Sequence, residues 1–384
     1  MNVNLRRNEE DRLLAGHPWV FSNEVNRITG YTKDGDICDV YSFDNQFLGR
    51  GYINVNSKII VRLLTREKEE IDYAFFKKRI KDCINYRKTL GYDNSYRLIF
   101  AEADLIPGLI VDKYDDVLVL QALTLGIDVR KEMICDILME LLNPRGIYER
   151  SDVPVRKKEG LPLVKGWLRG GGNPCVIIDE NNIKIHVDVE NGQKTGYFLD
   201  QKENRANIKQ YCQGGLVLDC FSHTGGFALN ACLVAKKVIA ADISERACQN
   251  IMYNASLNNF SNLEAKCVDV FDYLRSYLGE PFDCIILDPP AFTKTKDKIQ
   301  EAYRGYKEIN MTALKLIKKG GFLVTCSCSQ HMSPALFLEM LNDAAVDAKR
   351  TIRMIEFRTQ AKDHPTLLGS EESLYLKCVV LNVL

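Results

Sequence analysis

This sequence predicts an α/β protein whose C-terminal half is a doubly wound parallel sheet. Three observations carry that expectation. From about residue 190 onward, short apolar β-rich runs alternate with helical stretches of roughly ten to twenty residues. Several of those runs end abruptly in an acid, at Asp219, Asp242, Asp269 and Asp288. The first 68 residues instead hold only short strands between Gly and Asp turn signals, as a small β-barrel requires. The expected division is a barrel over 1–68, a connecting helix over 69–92, a central β-β-α-β-β domain over 93–189 and the doubly wound domain over 190–384.

In the barrel, Ile37 to Tyr41 and Ile59 to Leu64 are apolar runs separated by Asp34-Gly35 and Asp44-Asn45. Trp19 and Phe21, near its start, are expected as core residues. Phe75, Phe76, Ile80, Ile84 and Leu90 then recur at helical spacing up to Gly91, with Lys77, Lys78, Arg79 and Lys81 on the other face. In the central domain, strands are expected at 98–103 and 109–121, turning at Asp115-Asp116, then a helix at 127–142 stopped by Asn143-Pro144, then strands at 146–150 and 183–189. The stretch between these last two, with Arg156-Lys157-Lys158 and Gly170-Gly171-Gly172, reads as a basic, glycine-rich connector. The final domain offers strands at 216–219, 238–242, 263–268, 284–288 and 322–327, closed by an antiparallel edge hairpin from 352–357 and 374–384.

Composition limits the chemistry. The chain has 384 residues, 46% hydrophobic and 27% charged, with zero formal net charge. Any polyanion must therefore be held by local patches, for which Arg6, Arg7 and Arg156-Lys157-Lys158 are the candidates. Thirteen cysteines are scattered without a Cys-x-x-Cys pair, so neither a disulfide framework nor a zinc ribbon fits and no metal is expected. Reduced thiols, a start without a signal-peptide core and no long apolar run lead us to expect a cytoplasmic protein without a membrane partner.

The acids point to a cofactor. Asp242 follows Asp219 by 23 residues, near the spacing at which an acid meets a ribose hydroxyl after a nucleotide-binding turn. The turn between them, Phe221-Ser222-His223-Thr224-Gly225-Gly226, lacks the G-x-G-x-x-G fingerprint, which disfavours a dehydrogenase. An acidic turn suits the cationic amino group of a methionine moiety better than a pyrophosphate. Asp269 at the next strand end could accept from an adenine amino group. Together with Asp288-Pro289-Pro290, these acids signal S-adenosylmethionine. A strand-end acid such as Asp242 is expected to contribute little packing. The thiols of Cys326 and Cys328, on the strand after Asp288, put a nucleophile beside that carboxylate.

Leu218 to Phe227, Asp288-Pro289-Pro290-Ala291-Phe292, Tyr303 to Asn310 and Phe322 to Ser329 resemble the bacterial 23S ribosomal RNA cytosine-C5 methyltransferases of the large-subunit methyltransferase I type. The likeness runs the whole chain. It implies an N-terminal PUA barrel, a class I Rossmann-like methyltransferase domain, S-adenosylmethionine as cofactor and 23S ribosomal RNA as partner, and leaves a homodimer open. It further implies that Asp219, Asp242 and Asp269 bind the cofactor, with Phe221, Ser222, Thr224, Gly225 and Gly226 around its methionine end and Ile243 and Val270 beside the acids. The family segment matched by Gly196 to Gln201 brings in Phe198 and Gln201, and Pro289 and Pro290 are implied on the substrate side. Ala291 stands where the broader RNA 5-methylcytosine group has a second cysteine, and His223 where relatives usually carry an aromatic residue.

Cytosine C5 is a poor nucleophile, so the family chemistry adds a thiolate at C6 first. A thiol near its ordinary pKa of about 8.5 is mostly protonated at neutral pH, so donors or a cation are expected around the attacking one. Cys326 lies inside the apolar run, whereas Cys328 sits past it between two serines, so Cys328 is the expected nucleophile and Asp288 the group that holds the base. Two other readings compete: an exocyclic-amine methyltransferase using Asp288-Pro289-Pro290, and a non-catalytic RNA-binding assembly factor on the same scaffold.

Overall fold

The computed structural model describes residues 1–293 and 296–384. Its chain forms two compact units: Met1–Ile178 with Val187–Asp200 and Lys362–Ser373, and Asp179–His186 with Gln201–Ala361 and Leu374–Leu384.

The first unit opens with β1 (Asn2–Leu5), a short α1 (Asp11–Leu14), β2 (Trp19–Phe21), β3 (Val25–Thr29), β4 (Ile37–Tyr41), β5 (Phe47–Ile53) and β6 (Ile59–Thr65). They form one six-stranded sheet in the order β2-β6-β5-β4-β1-β3, in which only β1 and β4 are parallel. Val3, Leu5, Val40, Ile53 and Val61 make its core. Strand period decides what happens at β2. Val20 points into that core, so Trp19 and Phe21 take the opposite face and are half-buried, not core residues. Trp19 Nε1 donates to Glu102 at 3.0 Å, and the Arg12 guanidinium lies 4.3 Å over the Phe21 ring.

Helix α2 (Tyr73–Thr89) starts at Asp72, whose side chain accepts the Phe75 amide. Its face of Phe75, Phe76, Ile80 and Ile84 packs into a core shared with β7 (Ser95–Phe100), β8 (Leu109–Tyr114), β9 (Val117–Ala122), α3 (Leu125–Asp128), α4 (Lys131–Leu142) and β10 (Gly146–Ser151). The crossover through α3 and α4 makes β9 and β10 parallel. The expected glycine-rich connector is instead structured. It carries β11 (Val164–Gly170), antiparallel to β10, and β12 (Cys175–Glu180), which forms a hairpin with β13 (Ile183–Asp188). Arg156 is 1% exposed, bonded to the Ala122 and Pro162 carbonyls and paired with Asp128 at 2.9 Å. It drops out of the RNA-facing set, while Lys157 and Lys158 stay exposed.

In the second unit, α5 (Lys202–Asn207), β14 (Leu216–Cys220), α6 (Gly226–Cys232), β15 (Lys237–Asp242), α7 (Glu245–Leu257), β16 (Leu263–Cys267), α8 (Val270–Ser276), β17 (Phe282–Leu287), α9 (Ile299–Leu316), β18 (Ile317–Ser327), α10 (Pro334–Ala348), β19 (Ile352–Arg358) and β20 (Lys377–Val383) follow. The sheet order is β16-β15-β14-β17-β18-β20-β19, parallel except for β20, which is antiparallel to both neighbours. Cys284 to Leu287 are fully buried, as an apolar run in a sheet covered on both faces must be.

Candidate cofactor and catalytic site

The sheet order reverses at β14. From there the chain winds outward to β15 and β16, then crosses back to β17, so the carboxyl ends of β14 and β17 flank the switch point at which ligands bind in open α/β sheets. Asp219 pairs with Ile286 across that boundary, and Asp288 directly follows β17.

Asp219 is 1% exposed. Its Oδ2 accepts the Ala228 amide at 3.0 Å in the first turn of α6, while its buried Oδ1 makes no hydrogen bond among the described residues. Burial pushes this carboxyl up to about 7, and the charges of Asp288 and Asp242 add to the push. A buried carboxylate oxygen without a donor is costly, and a ligand ammonium would remove that cost.

The loop after β14 turns through three left-handed residues, Phe221 (φ 60), His223 (φ 53) and Gly225 (φ 87). Glycine adopts such a φ without steric cost; the other two must be held there. Ser222 N donates to Ala241 O at 3.1 Å, Gly225 N to Ser222 O at 2.8 Å, and Asn254 Nδ2 to Thr224 O at 2.9 Å. His223 N donates to Asp242 Oδ2 at 2.9 Å, and Ser244 N to Asp242 Oδ1 at 2.9 Å. Asp242 therefore ties two backbone segments together and does more for local structure than its strand-end position suggested. Burial lowers the His223 imidazole to about 4, leaving it neutral at physiological pH.

Ser222, Thr224 and Gly226 are buried in this loop, and Ile243 beyond Asp242 is 71% exposed. Asp269 is exposed and accepts the Asp272 amide at 3.1 Å, which starts α8; Val270 after it is buried. Gln201 Nε2 donates to Asp288 Oδ1 at 3.0 Å, Asn204 Nδ2 donates to Gln201 Oε1 at 2.7 Å, and Arg358 Nε donates to Asn204 Oδ1 at 2.9 Å. Pro289 is buried and Pro290 exposed. Phe198 belongs to the first unit, half-buried beneath the Lys194 ammonium at 4.7 Å.

The two thiols differ sharply. Cys326 is a fully buried free thiol in register with Cys378, and burial drives its pKa far up. Cys328 is half-buried, just past the end of β18. The hydroxyls on either side of it converge on Tyr306: Ser327 Oγ donates to Tyr306 Oη at 3.0 Å, and Ser329 Oγ shares a 3.0 Å bond with the same oxygen. Lys377 on β20 donates to the Ser329 and Tyr375 carbonyls, each at 2.8 Å. Sequence reasoning gave no role to Tyr306 or Lys377. The available signal for Lys377 was a lone cation in the apolar run Leu376 to Leu381.

Residues 3–66 match the PUA-like domain family, and residues 162–369 match a family of S-adenosylmethionine-dependent methyltransferases. The chain is 41% identical to Ribosomal RNA large subunit methyltransferase I of Vibrio vulnificus, with 100% of this chain and 99% of that protein aligned. The chain belongs to the large-subunit methyltransferase I family. Two solved structures share the fold over 100% of both chains: an S-adenosylmethionine-dependent methyltransferase from Streptococcus mutans (21% identity, TM-score 0.83) and a methyltransferase complexed with S-adenosylhomocysteine (22% identity, TM-score 0.86).

S-adenosylmethionine is the cofactor of this family, and the β14 crevice suits it. The unsatisfied Asp219 oxygen awaits a cation, and the left-handed turn at 221–225 keeps main chain close to the strand end. No helix among the described residues is long and apolar enough to cross a membrane, and no His/Cys/Asp/Glu group among them could hold a metal ion.

Proposed function

We propose that this methyltransferase modifies C5 of a cytosine in 23S ribosomal RNA, with Cys328 adding to C6 of the base. The relatives' name supports a large-subunit ribosomal RNA substrate. The observation that carries the chemistry is the contrast between the two thiols: Cys326 is packed away against Cys378, while Cys328 stands past the strand end among hydroxyls and a lysine.

In this reading Asp219, Asp242 and Asp269 bind the methionine amino group, the ribose and the adenine amino group. Ser222, Thr224, Gly225, Gly226 and Phe221 enclose the methionine end, Ile243 and Val270 flank the adenosine, and Gln201 completes the pocket. The bound cofactor supplies an electrophilic methyl group. Cys328 attacks C6 as a thiolate, which makes C5 nucleophilic. Once C5 carries the methyl group, loss of the C5 proton and departure of the thiolate from C6 restore the ring and the free cysteine. Asp288, positioned by Gln201, holds the N3/N4 edge of the base, with Pro289 and Pro290 stiffening its approach. The base must be unstacked or presented in a loop for both groups to reach it. RNA affinity resides in the barrel over 1–68, followed by the helix over 69–92 and the central domain over 93–189, and the chemistry in the domain over 190–384.

Phe292, the aromatic that an exocyclic-amine mechanism would stack on its base, packs 4.5 Å from Tyr306 and 6.1 Å from Phe271. That engagement favours the C5 reading. The test is a 5-fluorocytosine ribosomal RNA fragment incubated with S-adenosylmethionine and read on a denaturing gel. Fluorine at C5 blocks the final elimination, so the attacking cysteine stays attached. Wild type and Cys326→Ala should trap the RNA and Cys328→Ala should not; the reverse pattern would overturn the assignment.

A further inference from the structure

We propose that Lys377 is the cationic partner of the Cys328 thiolate, a positioning residue that rests on the reading of Cys328 as nucleophile. Lys377 is 3% exposed and pairs with Ser327 across the β18–β20 ladder. Two of its three N–H donors go to the Ser329 and Tyr375 carbonyls. The first of these lies one residue beyond Cys328, which keeps the ammonium at the end of β18. No carboxylate among the described residues forms an ion pair with it. A buried ammonium without an anion is unfavourable, and among the described residues Cys328 is the ionisable group whose charge raises the lysine. Burial lowers the lysine to about 8, and the charge on Cys328 pushes it back up.

The other groups facing Cys328 do not supply that charge. Tyr306, from α9, is held protonated by burial and bonded to both flanking serines. Asp288, at the end of β17, is an acid and disfavours a second anion. His331 lies in the turn that follows Cys328.

The test is peptide-resolved alkylation of Cys328 by iodoacetamide across pH, in the full-length protein without cofactor or RNA. Lys377→Gln keeps donors but no charge and should move the half-maximal pH up by about one unit, a roughly tenfold slower reaction at pH 7. Lys377→Arg should restore the wild-type profile, which a merely structural role would not require. An unchanged profile in a folded Lys377→Gln variant overturns the proposal. If that variant fails to fold, competitive acetylation of Lys377 in Cys328→Ser decides: losing the thiolate should lower the lysine's own pKa, and an unmoved value overturns the pairing. The fluorocytosine gel reads Cys328 separately. A wild-type adduct with an unshifted alkylation profile sinks Lys377 alone, whereas no adduct removes the reading beneath it.

Discussion

Asp219 accepts the Ala228 amide through one carboxylate oxygen at 3.0 Å and keeps the other buried without a donor. One side chain thus ties the end of β14 to the first turn of α6 and keeps an acceptor oxygen spare. Its folded pKa is raised to about 7, so between pH 4 and 7 the cofactor-free protein holds a proton that the unfolded chain has lost. That group favours folding as pH falls through 7 and opposes it above. Binding an ammonium needs the ionised form. Cofactor affinity should therefore drop up to tenfold per unit as pH falls below about 7. Asp219→Asn, which keeps an oxygen for Ala228, should weaken binding by about 1.5–3 kcal/mol while raising the Tm of the cofactor-free protein at pH 8. Calorimetry from pH 5.5 to 8 and thermal melts check both; a flat affinity profile would remove Asp219 from the cofactor.

Asp242 separates two effects. Asp242→Ala should cost about 1.5–3 kcal/mol of cofactor binding for each charged hydrogen bond it removes. It should also loosen the His223 and Ser244 amides and lower the Tm, whereas Asp242→Asn keeps an acceptor and should spare most of the fold. Cofactor bound as tightly by Asp242→Ala as by wild type would show that this strand end is misassigned.

Gln201 holds Asp288, so its loss should be felt in the chemical step. Gln201→Leu should slow single-turnover methylation by about tenfold, near the 1.5 kcal/mol expected for one hydrogen bond to a charged group. A raised cofactor Kd with an unchanged single-turnover rate would instead place Gln201 in the cofactor pocket alone.

The basic run at 156–158 should split by burial. Lys157→Ala with Lys158→Ala should weaken RNA binding and flatten its salt dependence, the slope falling by about 0.7–0.9 for each phosphate no longer neutralised, with no change in Tm. Arg156→Ala should lower the Tm, because it removes a buried donor from Asp128 and from two carbonyls. An Arg156→Ala protein as stable as wild type would refute the structural role.

The sequence alone determined the doubly wound sheet, because its buried strands are continuous apolar runs that stop at Asp219, Asp242 and Asp288, and it located the edge hairpin at 352–357 and 374–384. Local pattern sufficed there, since strand ends and turns are written in neighbouring residues. Distances between remote segments are not. Arg156 read as a solvated base until the carbonyl of Ala122 closed over it. Lys362–Ser373 lies between β19 and β20 in sequence yet belongs to the first unit, where the Asp363 carboxylate accepts the Arg97 amide and its carbonyl accepts Arg87. Tyr306 and Lys377 lie on elements far apart in the chain, and only the packing of α9 and β20 against the end of β18 brings their polar atoms to the serines around Cys328. A hydrogen bond depends on atoms within about 3 Å, and for such residues that proximity exists only once the sheet has assembled.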